Sequence, residues 1–239
     1  MLKLNNVTKK FGSLTAVSGL SLEVKRSEIF GLIGPNGSGK TTTIKMIAGL
    51  LAPSKGEILV DGASIAESPQ DAKSKIGYIP DDPNVWEKLT GEEFLNFVGA
   101  IFALQAKEIA RRAKELLAIY QIENLAGGYF GDYSRGTKQK FTIIAALIHQ
   151  PKLLLIDEPM VGLDPQSAKT TGKLLVEFAK GGGAVLLATH TLPIAQKICT
   201  HLGILDGGKL KVSGNLATLR KKAKLQEGEL EELYFRLLK

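Results

Sequence analysis

One stretch limits the folds open to this chain more than any other. Gly34-Pro35-Asn36-Gly37-Ser38-Gly39-Lys40-Thr41-Thr42 follows the apolar run Ile29 to Ile33 and opens a helical pattern from Lys40 to Leu50. The spacing G-x-x-x-x-G-K-[ST] is filled by Gly34, Gly39, Lys40 and Thr41. Glycines let successive backbone N–H groups turn inward around phosphate oxygens, and the helix that follows presents its positive end to them. Lys40 is spaced to reach the outer phosphates of a nucleotide, and the Thr41 hydroxyl to ligate a bridging Mg²⁺. A strand, a glycine loop and a helix in that order imply an α/β architecture with a largely parallel sheet.

The rest of the chain fills in around that unit. Leu2, Leu4 and Val7 are spaced as a strand, and Leu20 to Val24 alternates apolar and polar residues. Glu57 to Val60 and Lys75 to Ile79 are further short strands, and Ile44, Ile47 and Ala48 form one face of the first helix. From Asp82 to about Gln150 strand signals give way to helical periodicity. Phe94, Leu95, Phe97, Val98, Ile101 and Phe102 form a broad apolar face that Ile109, Leu116, Leu117 and Tyr120 continue. Leu153 to Asp157 and Ala184 to Thr189 are strands apolar throughout, as expected of strands buried on both faces. A helix is expected between them over about Pro165 to Lys180, and another runs to about Thr200. Leu202 to Leu205 and Lys209 to Val212 form a hairpin, and a charged helical tail begins near Leu216.

Two adjacent acids, Asp157 and Glu158, close the strand in the run LLLIDEP. Ligands gather at the carboxyl ends of strands in open α/β sheets. Asp157 is suited to hold Mg²⁺ and Glu158 to polarise an attacking water. His190 ends the next buried strand and is expected near the same sheet edge, within reach of a terminal phosphate. His149 and His201 have no comparable setting.

Composition narrows the setting. With 44% hydrophobic residues over 239 positions the chain is long enough for one substantial core. The single cysteine, Cys199, excludes an intramolecular disulfide and a cysteine-built zinc site. Apolar runs stay far below the roughly 20 residues needed to span a bilayer, so any membrane-spanning helices must come from another chain. The net charge of +7 suits either an anionic surface or simple solubility.

In this order the pieces resemble the nucleotide-binding domain of ABC transporters, from about Leu2 to Gly214. Lys9-Lys10-Phe11-Gly12 is similar to the family's aromatic loop, with Phe11 stacking on adenine or, alternatively, serving the core. Gly162-Leu163-Asp164-Pro165 is similar to the D-loop that meets a partner domain, and His190 falls at the switch histidine. Tyr133-Ser134-Arg135-Gly136-Thr137 sits where the LSGGQ signature belongs, in a form like that of the branch with ABC-2-type permeases.

The resemblance implies a P-loop NTPase, RecA-like core with an N-terminal antiparallel β subdomain and an inserted helical subdomain. Its expected division is 1–82 with 150–215 as the core, 83–149 as the insertion carrying the signature, and 216–239 as the tail. It implies ATP and Mg²⁺ as cofactors, with Ser134 and Gly136 meeting the γ-phosphate of an ATP held by a second, identical chain. It also implies ATP hydrolysis coupled to transport, in the export direction, by a separate membrane permease at the cytoplasmic face. That permease is expected near residues 82 to 110, where Trp86 offers apolar contact and Phe94 and Phe97 are expected in the core. Nucleic acid is not an expected partner, although a soluble ABC-type ATPase acting on ribosomes or DNA is the alternative reading.

Three residues depart from the family pattern. Arg135 replaces a signature glycine and Thr137 the signature glutamine, and Arg135 either adds positive charge near the phosphate or points to solvent. Asp81 follows Ile76-Gly77-Tyr78-Ile79-Pro80, where the family has a glutamine. It is expected to sense the metal beside Thr41 and Asp157.

Overall fold

A computed structural model describes residues 1–83, 86–158, 160, 162–225 and 227–238. Pro159 of the LLLIDEP run, and residues 84 and 85 of the expected permease-facing stretch, lie outside the described residues. The strands are β1 (Leu2–Phe11), β2 (Leu14–Val24), β3 (Ile29–Ile33), β4 (Lys55–Val60), β5 (Ala63–Ser64), β6 (Ile76–Ile79), β7 (Leu153–Asp157), β8 (Ala184–Thr189), β9 (His201–Asp206) and β10 (Lys209–Gly214). The helices are α1 (Lys40–Ile47), α2 (Pro69–Ser74), α3 (Gly91–Ile101), α4 (Ala106–Tyr120), α5 (Arg135–Ile148), α6 (Pro165–Lys180), α7 (Leu192–Ile198), α8 (Leu216–Ala223) and α9 (Leu230–Leu238).

Two sheets form. One is antiparallel in the order β2-β1-β4-β5, and the other runs β10-β9-β3-β8-β7-β6. In the second sheet β9, β3, β8, β7 and β6 are parallel, and β10 returns antiparallel along the edge. Strands β3, β7 and β8 are buried along their whole length, which is why their sequences carry no alternation. Their two faces do different work. Leu153, Leu155, Leu186 and Ala188 pack with Ile44 and Ile47 of α1 and with Leu2, Leu4 and Val60 of the antiparallel sheet. Leu154, Ile156, Val185 and Leu187 face the other way, onto Ile143 and Ile144 of α5 and Leu175 of α6.

The expected helical segment forms α3, α4 and α5. Their shared core is aromatic: Phe141 is fully buried, stacked on Tyr133 at a centroid distance of 5.1 Å and set edge-on to Phe130 at 5.6 Å. Thr90 caps α3 with a reciprocal capping box to Glu93, which fixes where that helix starts. Phe94 packs on Phe130, as expected of a core residue. Phe97 does not. It is 44% exposed, with Trp86 edge-on to it at 5.3 Å, because the apolar stripe of α3 is wider than the face its neighbours cover. Leu95 and Gly99 turn inward while Phe97 and Ile101 turn out.

The tail is helical but comprises two helices. Leu219 of α8 and Leu230 and Leu233 of α9 are buried against Ala195 of α7 and Ile204 of β9. The Leu230 amide donates to the Gln196 side-chain oxygen at 2.6 Å. Among the described residues no helix is long and apolar enough to cross a membrane. Truncating Phe141 removes the ring around which α3, α5 and the Tyr133 loop assemble. Phe141→Ala is expected to lower unfolding free energy by about 3–5 kcal/mol in urea titration, with the helical signal and the near-ultraviolet tyrosine signal affected together.

Candidate functional site

The sheet register brings the candidate residues to one edge. Ile33 pairs with Thr189, Ala188 with Asp157, and Ile156 with Ile79. The phosphate loop leaves β3, the acid pair leaves β7, His190 leaves β8 and Asp81 follows β6. These four strands are consecutive neighbours in the sheet, and all four segments emerge at their carboxyl ends.

The phosphate loop closes against β2 and β9. Gly39 holds φ +105° as the N-cap of α1, and a side chain there would put Cβ 2.5 Å from the Ala16 carbonyl oxygen, so only glycine fits. Its carbonyl accepts hydrogen bonds from the Thr43 amide and hydroxyl, both at 2.9 Å, which locks the first helical turn. Lys40 is 7% exposed and folds back over the loop, its Nζ donating to the carbonyl oxygens of Gly34 at 2.9 Å and Pro35 at 3.1 Å. Burial lowers the Lys40 pKa, while Glu158 and Asp157 pull it up. An ammonium held by two neutral carbonyls beside two carboxylates is poised for an anionic ligand. Among the described residues the buried Ser38 hydroxyl has no hydrogen-bond partner, whereas Pro35, Asn36 and Gly37 are exposed at the mouth. Thr41 and Thr42 lie on the first turn of α1, Thr41 exposed.

The acid pair divides into two environments. Asp157 is 2% exposed. Burial raises its carboxyl pKa, Asp81 and Glu158 add to the rise, and the Thr41 hydroxyl and Lys40 act against it. Glu158 is held from three directions. Its Oε2 accepts from the Thr189 hydroxyl at 2.9 Å, and its Oε1 accepts from the His190 amide at 2.8 Å and lies 2.7 Å from His190 Nδ1. Its backbone is at φ +52°, a left-handed conformation that costs a non-glycine residue about 1–3 kcal/mol. The amide of Glu158 bonds to the Ala188 carbonyl at 2.9 Å, so β8 holds both ends of the residue. Thr189 carries no motif in the sequence; only its place level with Glu158 in the register reveals its role.

The remaining expected residues lie further out. Phe11 is 45% exposed rather than in the core, at the turn between β1 and β2, with Lys9 Nζ 5.0 Å from its ring centroid. Ser134 caps α5, its Oγ accepting from the Thr137 amide at 3.2 Å, and Gly136 lies in the first turn. Among the described residues no hydrogen bond joins Ser134 or Gly136 to the phosphate loop of the same chain. Arg135 is 53% exposed, and its Nη2 lies 3.8 Å from Asp81 Oδ1.

The donor set is compatible with Mg²⁺ but is not a cage. Among the described residues no group of three or more His, Cys, Asp or Glu side chains is arranged to hold a metal. Mg²⁺ ordinarily takes one or two protein oxygens and completes its shell with phosphate and water. The buried Asp157 carboxylate beside Thr41 fits that requirement.

A raised folded-state pKa means that folding favours the protonated acid. Stability from Asp157 is therefore present at pH below its unfolded value and lost as pH rises through the folded one. Asp157→Asn is expected to raise the melting temperature of the nucleotide-free chain at neutral pH, with the gain shrinking as pH falls into the carboxylate range, as read by thermal unfolding.

Comparison with known proteins agrees with this geometry. The ABC transporter family model matches residues 17–161. The ABC-type transporter ATP-binding protein EcsA of Bacillus subtilis is 34% identical over 239 residues, covering 100% of this chain and 97% of the relative. The Nod factor export ATP-binding protein I of Cupriavidus metallidurans is 36% identical over 90% of this chain and 71% of its own length. A solved ATP-binding subunit of an ABC transporter superposes with a TM-score of 0.96 at 34% identity, covering 100% of both chains. The ATP-binding cassette MJ0796, in a dimeric post-hydrolysis state bound to ADP and Pi, superposes with a TM-score of 0.82 at 27% identity over 90% of this chain and 99% of its own. These relatives favour transport over the reading on ribosomes or DNA. The chain belongs to the ABC transporter family, as an ATP-binding subunit that hydrolyses ATP.

Proposed function

We propose that the edge formed by β3, β8, β7 and β6 is the phosphate-loop half of a composite ATP site. In this reading the backbone of residues 34–42 and Lys40 hold the phosphates, and Phe11 stacks on the adenine. Thr41 and Asp157 hold Mg²⁺, with Asp81 beside them; the metal would neutralise phosphate charge. Glu158 accepts the proton of the attacking water, and His190 and Thr189 fix the carboxylate that does so. The single observation that carries this reading is the Glu158 carboxylate, held by Thr189 and His190 at the mouth of the loop that Lys40 closes.

The signature end is proposed to serve another ATP. Ser134 and Gly136, at the start of α5, would face the γ-phosphate bound by a second copy of this chain, arranged head to tail. The dimeric form of MJ0796 with ADP and Pi supports the pairing of two such chains. Residues 83–149 would act as the moving insertion, 1–82 with 150–215 as the core, and 216–239 as the tail. A separate membrane permease would dock at the cytoplasmic face against Trp86, Phe97 and the groove bordered by Phe94, Val98 and Phe102. The similarity to a Nod factor export protein supports outward transport.

Replacing the acceptor carboxylate tests the assignment. Glu158→Gln is expected to keep ATP affinity, to accumulate an ATP-dependent dimer on size exclusion, and to lose turnover by about 100-fold or more. Turnover near the parent rate would contradict the role given to Glu158.

A further inference from the structure

Arg135 joins three segments that are far apart in sequence. It opens α5, yet its Nη2 lies 3.8 Å from Asp81 Oδ1 and donates to the Asp81 carbonyl oxygen at 3.4 Å. Its aliphatic stem lies along the loop after β7. A side chain at Gly162, which holds φ +83°, would put Cβ 3.1 Å from Arg135 Cγ and 3.2 Å from Cδ. The neighbouring Gly136 is pressed onto the same loop: a Cβ there would meet the Gly162 carbonyl oxygen at 2.6 Å. The end of β6, the loop after β7 and the start of the signature helix therefore meet at one side chain.

Stability does not explain the pair. Both side chains are more than half exposed, 53% for Arg135 and 56% for Asp81, and exposed ion pairs add little to folding. The start of α5 is already fixed by the Ser134 cap, and its body by Phe141. What the pair does set is position. Asp81 follows β6, whose last residue Ile79 pairs with Ile156 just before Asp157, so it lies on the phosphate-loop side of the sheet edge. Ser134 and Gly136 flank Arg135 in sequence and belong to the signature half.

We propose that Arg135 is a positioning residue that ties, within one chain, the Asp81 end of one ATP half-site to the Ser134–Gly136 end of the other. The position of the insertion is then coupled to the Asp81 end of the core when nucleotide arrives at either. The proposal rests on the signature reading above. The guanidinium is engaged by its own chain, so it reaches a partner's phosphate only by leaving Asp81. Its stem, seated over Gly162, carries the same link to the D-loop.

A double-mutant cycle in the Glu158→Gln background tests this. Arg135→Met keeps the stem over Gly162 and removes the charge, Asp81→Asn removes the other charge, and Arg135→Lys restores a cation. The measured quantities are the ATP concentration at half-maximal dimer formation and the affinity of the monomer for a fluorescent ATP analogue. Each single variant is expected to raise the dimerisation midpoint about two- to fivefold. The double variant should do no worse than the larger single, Arg135→Lys should recover most of the loss, and Arg135→Met should leave monomer affinity unchanged. Additive effects, or an Arg135→Met midpoint equal to the parent's, would overturn the proposal while leaving the signature reading intact. A Glu158→Gln parent that binds ATP but never dimerises would remove both.

Discussion

Strand register is the constraint on which the rest of this molecule depends. Strands β3, β7 and β8 are buried on both faces, so their backbones can satisfy hydrogen bonds only with neighbouring strands of the sheet in a fixed alignment. With Ile33 opposite Thr189 and Ala188 opposite Asp157, the segments that follow are delivered level with each other. A slip of one residue would invert every side chain on the slipped strand, putting Leu153 and Leu155 where Leu154 and Ile156 belong. The apolar core thus guards the geometry of the polar edge. The candidate site residues of this chain are placed by the packing of the strands that carry them.

The edge itself carries unfavourable features that the core offsets. Asp157 is a carboxylate in a buried position, Lys40 a buried ammonium, and Glu158 a left-handed non-glycine residue. Such features weaken the nucleotide-free fold and make sense as preparation for charged ligands. Lys40 donates to the loop carbonyls of Gly34 and Pro35, and Glu158 is held by Thr189 and His190. Ser134 and Gly136 stand at the start of α5, and among the described residues neither bonds to the phosphate loop.

Much of this was legible in the sequence because the signals are local. The glycine spacing at 34–41 encodes a loop that needs only its own strand and helix. The uninterrupted apolar runs at 153–157 and 184–189 encode double burial. Contacts made across the fold were not legible. Thr189 has no motif, and its bond to Glu158 exists only through the alignment of β7 with β8. The link from Arg135 to Asp81 joins exposed residues whose types suggest solvent. Phe97 misled for a different reason: periodicity shows which residues share a face but not how wide a face the neighbours cover. The tail read as charged and helical, yet that pattern held no sign that α9 folds back onto α7.

The central claim is that one chain supplies the phosphate loop of one ATP site and the signature of another. Mixing two differently disabled chains tests it most directly. Lys40→Ala removes the phosphate-loop lysine and leaves the signature; Ser134→Arg blocks the signature and leaves the loop. Each alone is expected to be nearly inactive in ATP hydrolysis, and an equimolar mixture should recover a substantial part of the parent rate, because the mixed dimer holds one intact site. A mixture no more active than the sum of its parts, or full activity in Ser134→Arg alone, would contradict the account.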